Sequence, residues 1–240
     1  MYENKAEAEL YDRLYQDRKD YEGEAVRVAD LIREHKQDAV TLLDVACGTG
    51  LHLAAFAKCF DEVAGVDLSA WMADLASERL AGVPVHQGDM RTFDLGRTFD
   101  SVVCMFSSIG YLRTTEDLDS AVRAMTRHLA DDGVLAIEPW YFPDTFLPGF
   151  VSTHALKDGD QGISRVSHST QEGNVTRMEI HYVVADADAG VQHRSEVDHL
   201  TLFSREEYEN AFRGSGLTVE YIETELGRPG FFVGTHSDRS

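Results

Sequence analysis

The stretch Leu42-Leu43-Asp44-Val45-Ala46-Cys47-Gly48-Thr49-Gly50 is a short apolar run that breaks into a glycine turn and then opens a helix. Leu42, Leu43 and Val45 suit the first strand of a parallel sheet. Gly48 and Gly50 let the backbone adopt conformations, and approach a ligand, as a side-chain-bearing residue could not. The helix expected from Leu51 to about Lys58 aims its free N–H groups at that turn, which favours a carboxylate or phosphate. The pattern predicts a nucleotide-cofactor cradle with an anionic group at the turn. A dinucleotide fingerprint would need a third glycine for close helix–strand packing, and that place is held by Leu53.

Two further strand ends address the same nucleoside. Glu62-Val63-Ala64-Gly65-Val66-Asp67-Leu68-Ser69 ends in an acid placed to accept from both ribose hydroxyls, and Val85-His86-Gln87-Gly88-Asp89-Met90 ends in a second acid suited to an adenine amino group. Leu68 and Met72 can flank the adenine, with core packing as the alternative, which is favoured for Trp71. The fourth strand, Phe99 to Phe106, is apolar without alternation, as befits a sheet covered on both faces, and delivers Met105 and Ser107 to the mouth. The candidate cofactor contacts are therefore Ala46, Gly48, Gly50, Asp67, Leu68, Met72, Asp89, Met90 and Met105.

These motifs, in this order and at this spacing from Leu42 to Glu138, resemble the class I methyltransferases that use S-adenosylmethionine. Further stretches narrow the likeness: Gly88-Asp89-Met90-Arg91, Cys104-Met105-Phe106-Ser107-Ser108-Ile109-Gly110-Tyr111, Glu138-Pro139-Trp140-Tyr141-Phe142-Pro143, Arg165-Val166-Ser167-His168-Ser169, and near the N-terminus Leu10-Tyr11-Asp12 and Lys19-Asp20-Tyr21. Together they are similar to the N,N-dimethyltransferases acting on dTDP-linked amino-deoxysugars in macrolide antibiotic biosynthesis. The resemblance implies an α/β, Rossmann-like fold with a seven-stranded, mostly parallel sheet ordered 3-2-1-4-5-7-6, its last strand antiparallel. It implies S-adenosyl-L-methionine as cofactor, S-adenosyl-L-homocysteine as its product, and a dTDP-linked amino sugar as substrate. It also implies that the N-terminal part closes over the cofactor with Tyr11 and Tyr21 at the site. An aromatic face attracts a sulfonium, and packing of Tyr11 against the core is the competing reading.

With 240 residues, 43% of them hydrophobic, and no linker-like run, the chain is expected to form one domain, 1–240, with an N-terminal helical cap over 1–40 and an inserted antiparallel sheet over 149–204. A formal charge of −20 argues against nucleic acid, whose phosphates need a cationic field. No basic leader with an apolar run and no membrane-length apolar stretch is present, so a cytoplasmic protein is expected, here as a homodimer. Cys47, Cys59 and Cys104 lack any metal-ligand spacing, which predicts free thiols and no metal.

Helices are expected over Ala6 to about Arg18, Tyr21 to Glu34, Ala70 to Leu80, Thr115 to Leu129 and Glu206 to Ser215, with a fifth strand from Val134 to Glu138. Alternation over Ile163 to Ser169, Val175 to Val184 and Val191 to Phe203 marks the inserted sheet, with turns at Glu172-Gly173-Asn174 and Asp186 to Gly190. Such an insertion can build an acceptor pocket or a dimer surface. Leu217 to Thr224 and Gly230 to Gly234 complete the main sheet.

Methyl transfer is an in-line displacement, so the protein must hold an amine lone pair opposite the departing thioether and exclude water. Positioning can supply roughly 7–11 kcal/mol. An ammonium has no lone pair, and Tyr111, His168, His181 and Glu138 are the candidates for removing its proton, with Tyr111 as the catalytic choice. Approximation without an essential base is the mechanism expected. Ser107 and Ser108 line the acceptor side, Trp140 and Tyr141, or Phe142 beside them, can stack on a thymine, and Arg165, Arg177 and Arg228 can take the diphosphate, with His181 beside them. Two other functions stay open: a methyltransferase for another small amine or hydroxyl, and a non-catalytic cofactor-binding module, which would require a closed mouth around Ser107 and Tyr111.

Overall fold

A computed structural model describes residues 5–16, 18–224 and 229–236. In chain order it contains α1 (Lys5–Gln16), α2 (Tyr21–His35), β1 (Thr41–Val45), α3 (Leu51–Phe56), β2 (Glu62–Asp67), α4 (Ala70–Arg79), β3 (Val85–Gln87), β4 (Phe99–Cys104), α5 (Thr115–Thr126) and β5 (Leu129–Ile137). Four strands follow, β6 (Phe150–Asp158), β7 (Gln161–Glu172), β8 (Val175–Asp186) and β9 (Gly190–Thr201). The chain then returns through α6 (Arg205–Gly214), β10 (Leu217–Ile222) and β11 (Phe231–His236).

The main sheet runs β10-β11-β5-β4-β1-β2-β3. The five early strands pair in parallel and β11 lies antiparallel to both β5 and β10, which is the order and polarity the resemblance implies. Period-two alternation sends neighbouring apolar residues to opposite faces. Leu43, Val45, Val102 and Leu135 pack beneath Leu118, Val122 and Met125 of α5 and Tyr208 and Phe212 of α6. Leu42, Val103 and Ala136 pack against Val28 and Ile32 of α2 and Leu53 and Phe56 of α3. Burying each such side chain contributes roughly 1.5–3 kcal/mol, so strands with apolar residues on both faces are held from both sides. All the parallel strands therefore end at one edge.

The structure differs from the sequence expectation at several boundaries, and β4 ends at Cys104, short of Phe106. α3 stops at Phe56, where Lys58 and Cys59 close into a turn through N–H bonds to Ala55 and Phe56 carbonyls. α5 stops at Thr126, and Leu129 instead pairs with Phe99 at the start of β5. The smaller sheet has four strands, β6-β7-β8-β9, with β6 preceding the three that alternation revealed.

α1 binds the two parts together. Its Leu14 and Tyr15 pack on Ile163, Ile180 and Tyr182 of the smaller sheet, and Arg13 donates to Gln161. On the other side Asp12 pairs with Arg79 of α4. Among the described residues no helix is long and apolar enough to cross a membrane, and Cys47, Cys59 and Cys104 are free.

Candidate active site

The carboxyl edge of the main sheet, α1 and one face of the smaller sheet enclose a cavity of about 890 Å³. Its floor is the glycine turn. Cys47 N–H donates to Val66 O and Gly50 N–H to Cys47 O, while Gly48 N–H donates to Asp67 Oδ2 at 2.8 Å. Asp67 Oδ1 accepts from Ser69 N–H at 2.9 Å, so each carboxylate oxygen is anchored and keeps a further lone pair for a ligand. Burial raises the Asp67 pKa against these two hydrogen bonds. Gly48, at φ +57°, lines the cavity with open space where a Cβ would stand. Gly50 does not line it: a Cβ there would come within 3.0 Å of Ala76 Cβ, so this glycine lets α4 approach the turn from behind.

Backbone strain concentrates at this edge. Among the described residues the only non-glycine positive φ angles are those of Ala46, Phe106 and Ser107, all on the cavity wall just beyond β1 and β4. The kink after β4 is held by Phe106 N–H donating to Glu138 Oε2 at 2.6 Å and Ser107 Oγ donating to Pro139 O at 2.8 Å. It turns Met105, Ser107 and Ser108 into the cavity instead of extending the strand.

Asp44 was not among the residues singled out from sequence. It sits near the carboxyl end of β1, 1% exposed, with neither carboxylate oxygen hydrogen-bonded, and burial raises its pKa well above its ordinary value, with Asp67 adding to the shift. An acid in an otherwise apolar strand was the available signal. A buried carboxyl without a hydrogen-bond partner on the floor of a cavity fits a ligand that carries a positive amine or sulfonium, whose charge would favour its ionised form, and the methionyl part of S-adenosylmethionine carries both. Tyr11, stacked on Tyr15 at 4.3 Å, and Tyr21, which donates to Tyr15 O and meets His52 edge-on, close the same space from above. Leu68, Met72 and Met90 line it beside Asp67. Asp89 lines it as well, but its oxygens already accept from the Arg91 backbone and guanidinium, which lower its pKa.

The acceptor half is built by the smaller sheet. The β7–β8 hairpin pairs Glu172 with Val175, so an odd-numbered residue on β7 shares a face with an even-numbered residue on β8. Arg165, Ser167 and Ser169 therefore face the cavity with Met178, Ile180 and Tyr182. By the same parity Arg177 and His181 point to the opposite face, where they pair with Glu179 and His181 stacks on His193. His168 lies on that outer face too, so none of the three reaches the site. Arg228 lies outside the described residues.

Arg165 is 2% exposed, and no carboxylate among the described residues pairs with it. Nη1 donates to Ser167 Oγ at 3.0 Å, Nη2 meets only the Met178 sulfur at 3.7 Å, and Nε has no partner. The guanidinium thus keeps unused donor capacity at Nε and Nη2, the edge that pairs with an oxyanion. Trp140, fixed by Nε1–H donation to Thr176 Oγ1, and Tyr141 form an aromatic wall, whereas Phe142 turns into the core against Tyr221 and Phe232. Tyr111 donates its phenol to Asp198 Oδ2 at 3.0 Å, and burial raises its pKa well above the ordinary phenol value. It is therefore not a base by itself. Asp198 and Glu196, on β9, complete the wall and were not foreseen.

Residues 42–133 match the family described as a methyltransferase domain. The chain is 51% identical, over 95% of its own length and 96% of the relative's, to the dTDP-3-amino-3,4,6-trideoxy-alpha-D-glucopyranose N,N-dimethyltransferase of Streptomyces venezuelae. The crystal structure of Streptomyces venezuelae DesVI superposes with a TM-score of 0.91 at 50% identity, covering 96% of this chain and 98% of that one. The structure of SAM-bound CalS10, an amino pentose methyltransferase from Micromonospora echinaspora involved in calicheamicin biosynthesis, gives a TM-score of 0.87 at 47% identity, covering 95% and 97%.

Proposed function

This chain belongs to the S-adenosylmethionine-dependent dTDP-amino-sugar N,N-dimethyltransferases, and from that membership we propose that it dimethylates the amino group of a dTDP-linked amino-deoxysugar destined for an antibiotic. The observation that carries the acceptor assignment is Arg165, a buried guanidinium on the cavity wall with no carboxylate partner among the described residues and an unpartnered Nε. A buried cation without a counter-ion is costly, and a diphosphate supplies the missing charge with matching geometry. Trp140 and Tyr141 offer their faces to the thymine, and Ser107 and Ser108 their hydroxyls to the sugar.

S-adenosylmethionine, when bound, supplies an electrophilic methyl on a sulfonium. For the cofactor, Asp67 takes the ribose diol, Gly48 allows close approach, Ala46, Leu68, Met72, Met90 and Met105 surround the nucleoside and thioether, and Asp89 shares its charge between Arg91 and the adenine edge. Asp44 and the Tyr11 and Tyr21 rings favour a cation between them. The chain acts chiefly by orientation, holding the acceptor under α1 where bulk water is excluded. A panel of dTDP-linked 3-amino and 4-amino sugars, incubated with enzyme and cofactor, should show one compound gaining two methyl groups by mass spectrometry while its free amino sugar stays nearly inert. Equal turnover of free and nucleotide-linked sugar would remove the diphosphate role.

The setting follows the same reasoning. Val151, Val166, Val183, Val191 and Val197 lie exposed on the outer face of the smaller sheet, and burying such a patch against a second copy supports a homodimer. Val166→Asp should convert that dimer to a monomer in sedimentation, and a wild-type monomer would end the idea. The net charge of −20 disfavours nucleic acid and anionic membrane as partners, in keeping with a cytoplasmic enzyme working on small molecules.

A further inference from the structure

Glu196 and Asp198 stand two residues apart on the cavity face of β9, and each accepts a hydrogen bond from a phenol. Tyr182 donates to Glu196 Oε1 at 2.6 Å and Tyr111 to Asp198 Oδ2 at 3.0 Å. Neither carboxylate has a lysine, arginine or histidine within ion-pair distance among the described residues. Among the described residues, Arg165 of β7 and Tyr182 of β8 act on Glu196 and Tyr111 on Asp198, with Tyr15 of α1 beside both phenols. Among these described groups Arg165 is the cation, and it makes no ion pair with either carboxylate. Burial raises the Glu196 pKa, and Asp198 adds to that shift. Two like charges on one partly closed wall call for a cation from the ligand, and the acceptor's amine, protonated in neutral water, is one.

We propose that Asp198, acting through Tyr111, takes the proton that the acceptor ammonium must lose before methyl transfer. The inference rests on the reading of the cavity as an amino-sugar site. Because the Tyr111 proton is directed at Asp198, the lone pairs of its oxygen are free to receive an N–H from the ammonium. The N–H bond breaks and leaves its electron pair on nitrogen, a new O–H bond forms on Tyr111, and the proton formerly on Tyr111 passes to Asp198 Oδ2. An ammonium and a carboxylate become an amine and a carboxylic acid, so no net charge is created in a buried space. After the first transfer the secondary ammonium carries the same surplus proton, and the same route serves once Asp198 has released its proton to solvent. Tyr111 touches the substrate, and Asp198 is a positioning residue that acts through it.

The proposal fixes the shape of a pH profile. If the productive pair is ionised Asp198 with the ammonium form of the sugar, kcat/KM stays level over the pH units below the pKa of the free amine and declines above it. Without the relay only the neutral amine is productive, and kcat/KM rises about tenfold per pH unit up to the amine pKa. With saturating cofactor, wild type should show the plateau, and Asp198→Asn and Tyr111→Phe the rise. Two pH units below the amine pKa, where about 1% of the amine is neutral, the variants should fall about a hundredfold below wild type and approach it above that pKa. Calorimetry should give each variant wild-type affinity for S-adenosylhomocysteine, which marks the loss as one of proton removal. A wild-type profile that rises with the free amine overturns the relay and needs no variant to fold. Failure of wild type to methylate any dTDP-amino sugar would instead overturn the functional reading beneath it.

Discussion

Replacing Arg165 by methionine should separate function from stability with opposite signs. The side chain is 2% exposed, its Nε is unpartnered and Nη2 meets only a thioether, so the free enzyme holds a poorly compensated cation in its interior. Methionine fills similar space without charge beside Met178, and exchanging a buried charge for an apolar side chain is often neutral or stabilising by about 1–4 kcal/mol. For a chain of this size each kcal/mol moves Tm by about 2–4 °C, so the free variant should melt at the wild-type temperature or several degrees above it. With substrate the balance reverses. Two hydrogen bonds from a charged donor to phosphate, at about 1.5–3 kcal/mol each, are lost, or about 10²–10⁴ in kcat/KM. Most of this should appear in KM, because the diphosphate is bound alike in ground and transition states. The assay pairs a thermal melt of the free protein with steady-state kinetics on the dTDP-amino sugar at saturating cofactor. A variant that melts more than about 5 °C lower while keeping its KM would show that Arg165 is a structural residue and that the anion sits elsewhere.

Asp67→Ala should weaken S-adenosylmethionine binding at least about tenfold in calorimetry, since each hydrogen bond to this charged acceptor contributes about 1.5–3 kcal/mol; an unchanged affinity would remove the ribose assignment. Asp44 gives a pH signature. Its folded pKa lies above the unfolded value of about 3.9, so between the two values the native state holds a proton that the unfolded chain has released, and stability falls as pH rises through that window. Asp44→Asn should remove this fall and raise the Tm of the free enzyme at neutral pH while weakening cofactor affinity, and melts from about pH 4 to 8 that superimpose for the two proteins would contradict it.

The sequence by itself determined the main sheet and the cofactor half of the site. A strand apolar at every position needs cover on both faces, right-handed crossovers bring successive strand ends to one edge, and the acids ending β2 and β3 and the glycines after β1 are local features that keep their meaning wherever the strands are placed. The acceptor half is different because it depends on which way a side chain faces. Arg165 and Arg177 are alike in type and stand in similarly alternating stretches of sequence, yet a hairpin that pairs Glu172 with Val175 sends one into the cavity and the other to the far face. Counting the two residues between those partners would have shown it, and the β8–β9 pairing of Asp186 with Gly190 would then have turned Glu196 and Asp198 inward. Other facts had no local signal. That Gly50 packs against α4 behind the cavity wall, that Phe142 leaves Trp140 and Tyr141 for the core, and that Tyr111 meets Asp198 are contacts between residues remote in sequence. Local pattern fixes which residues can do chemistry, and the register and packing of distant elements fix which of them share a cavity.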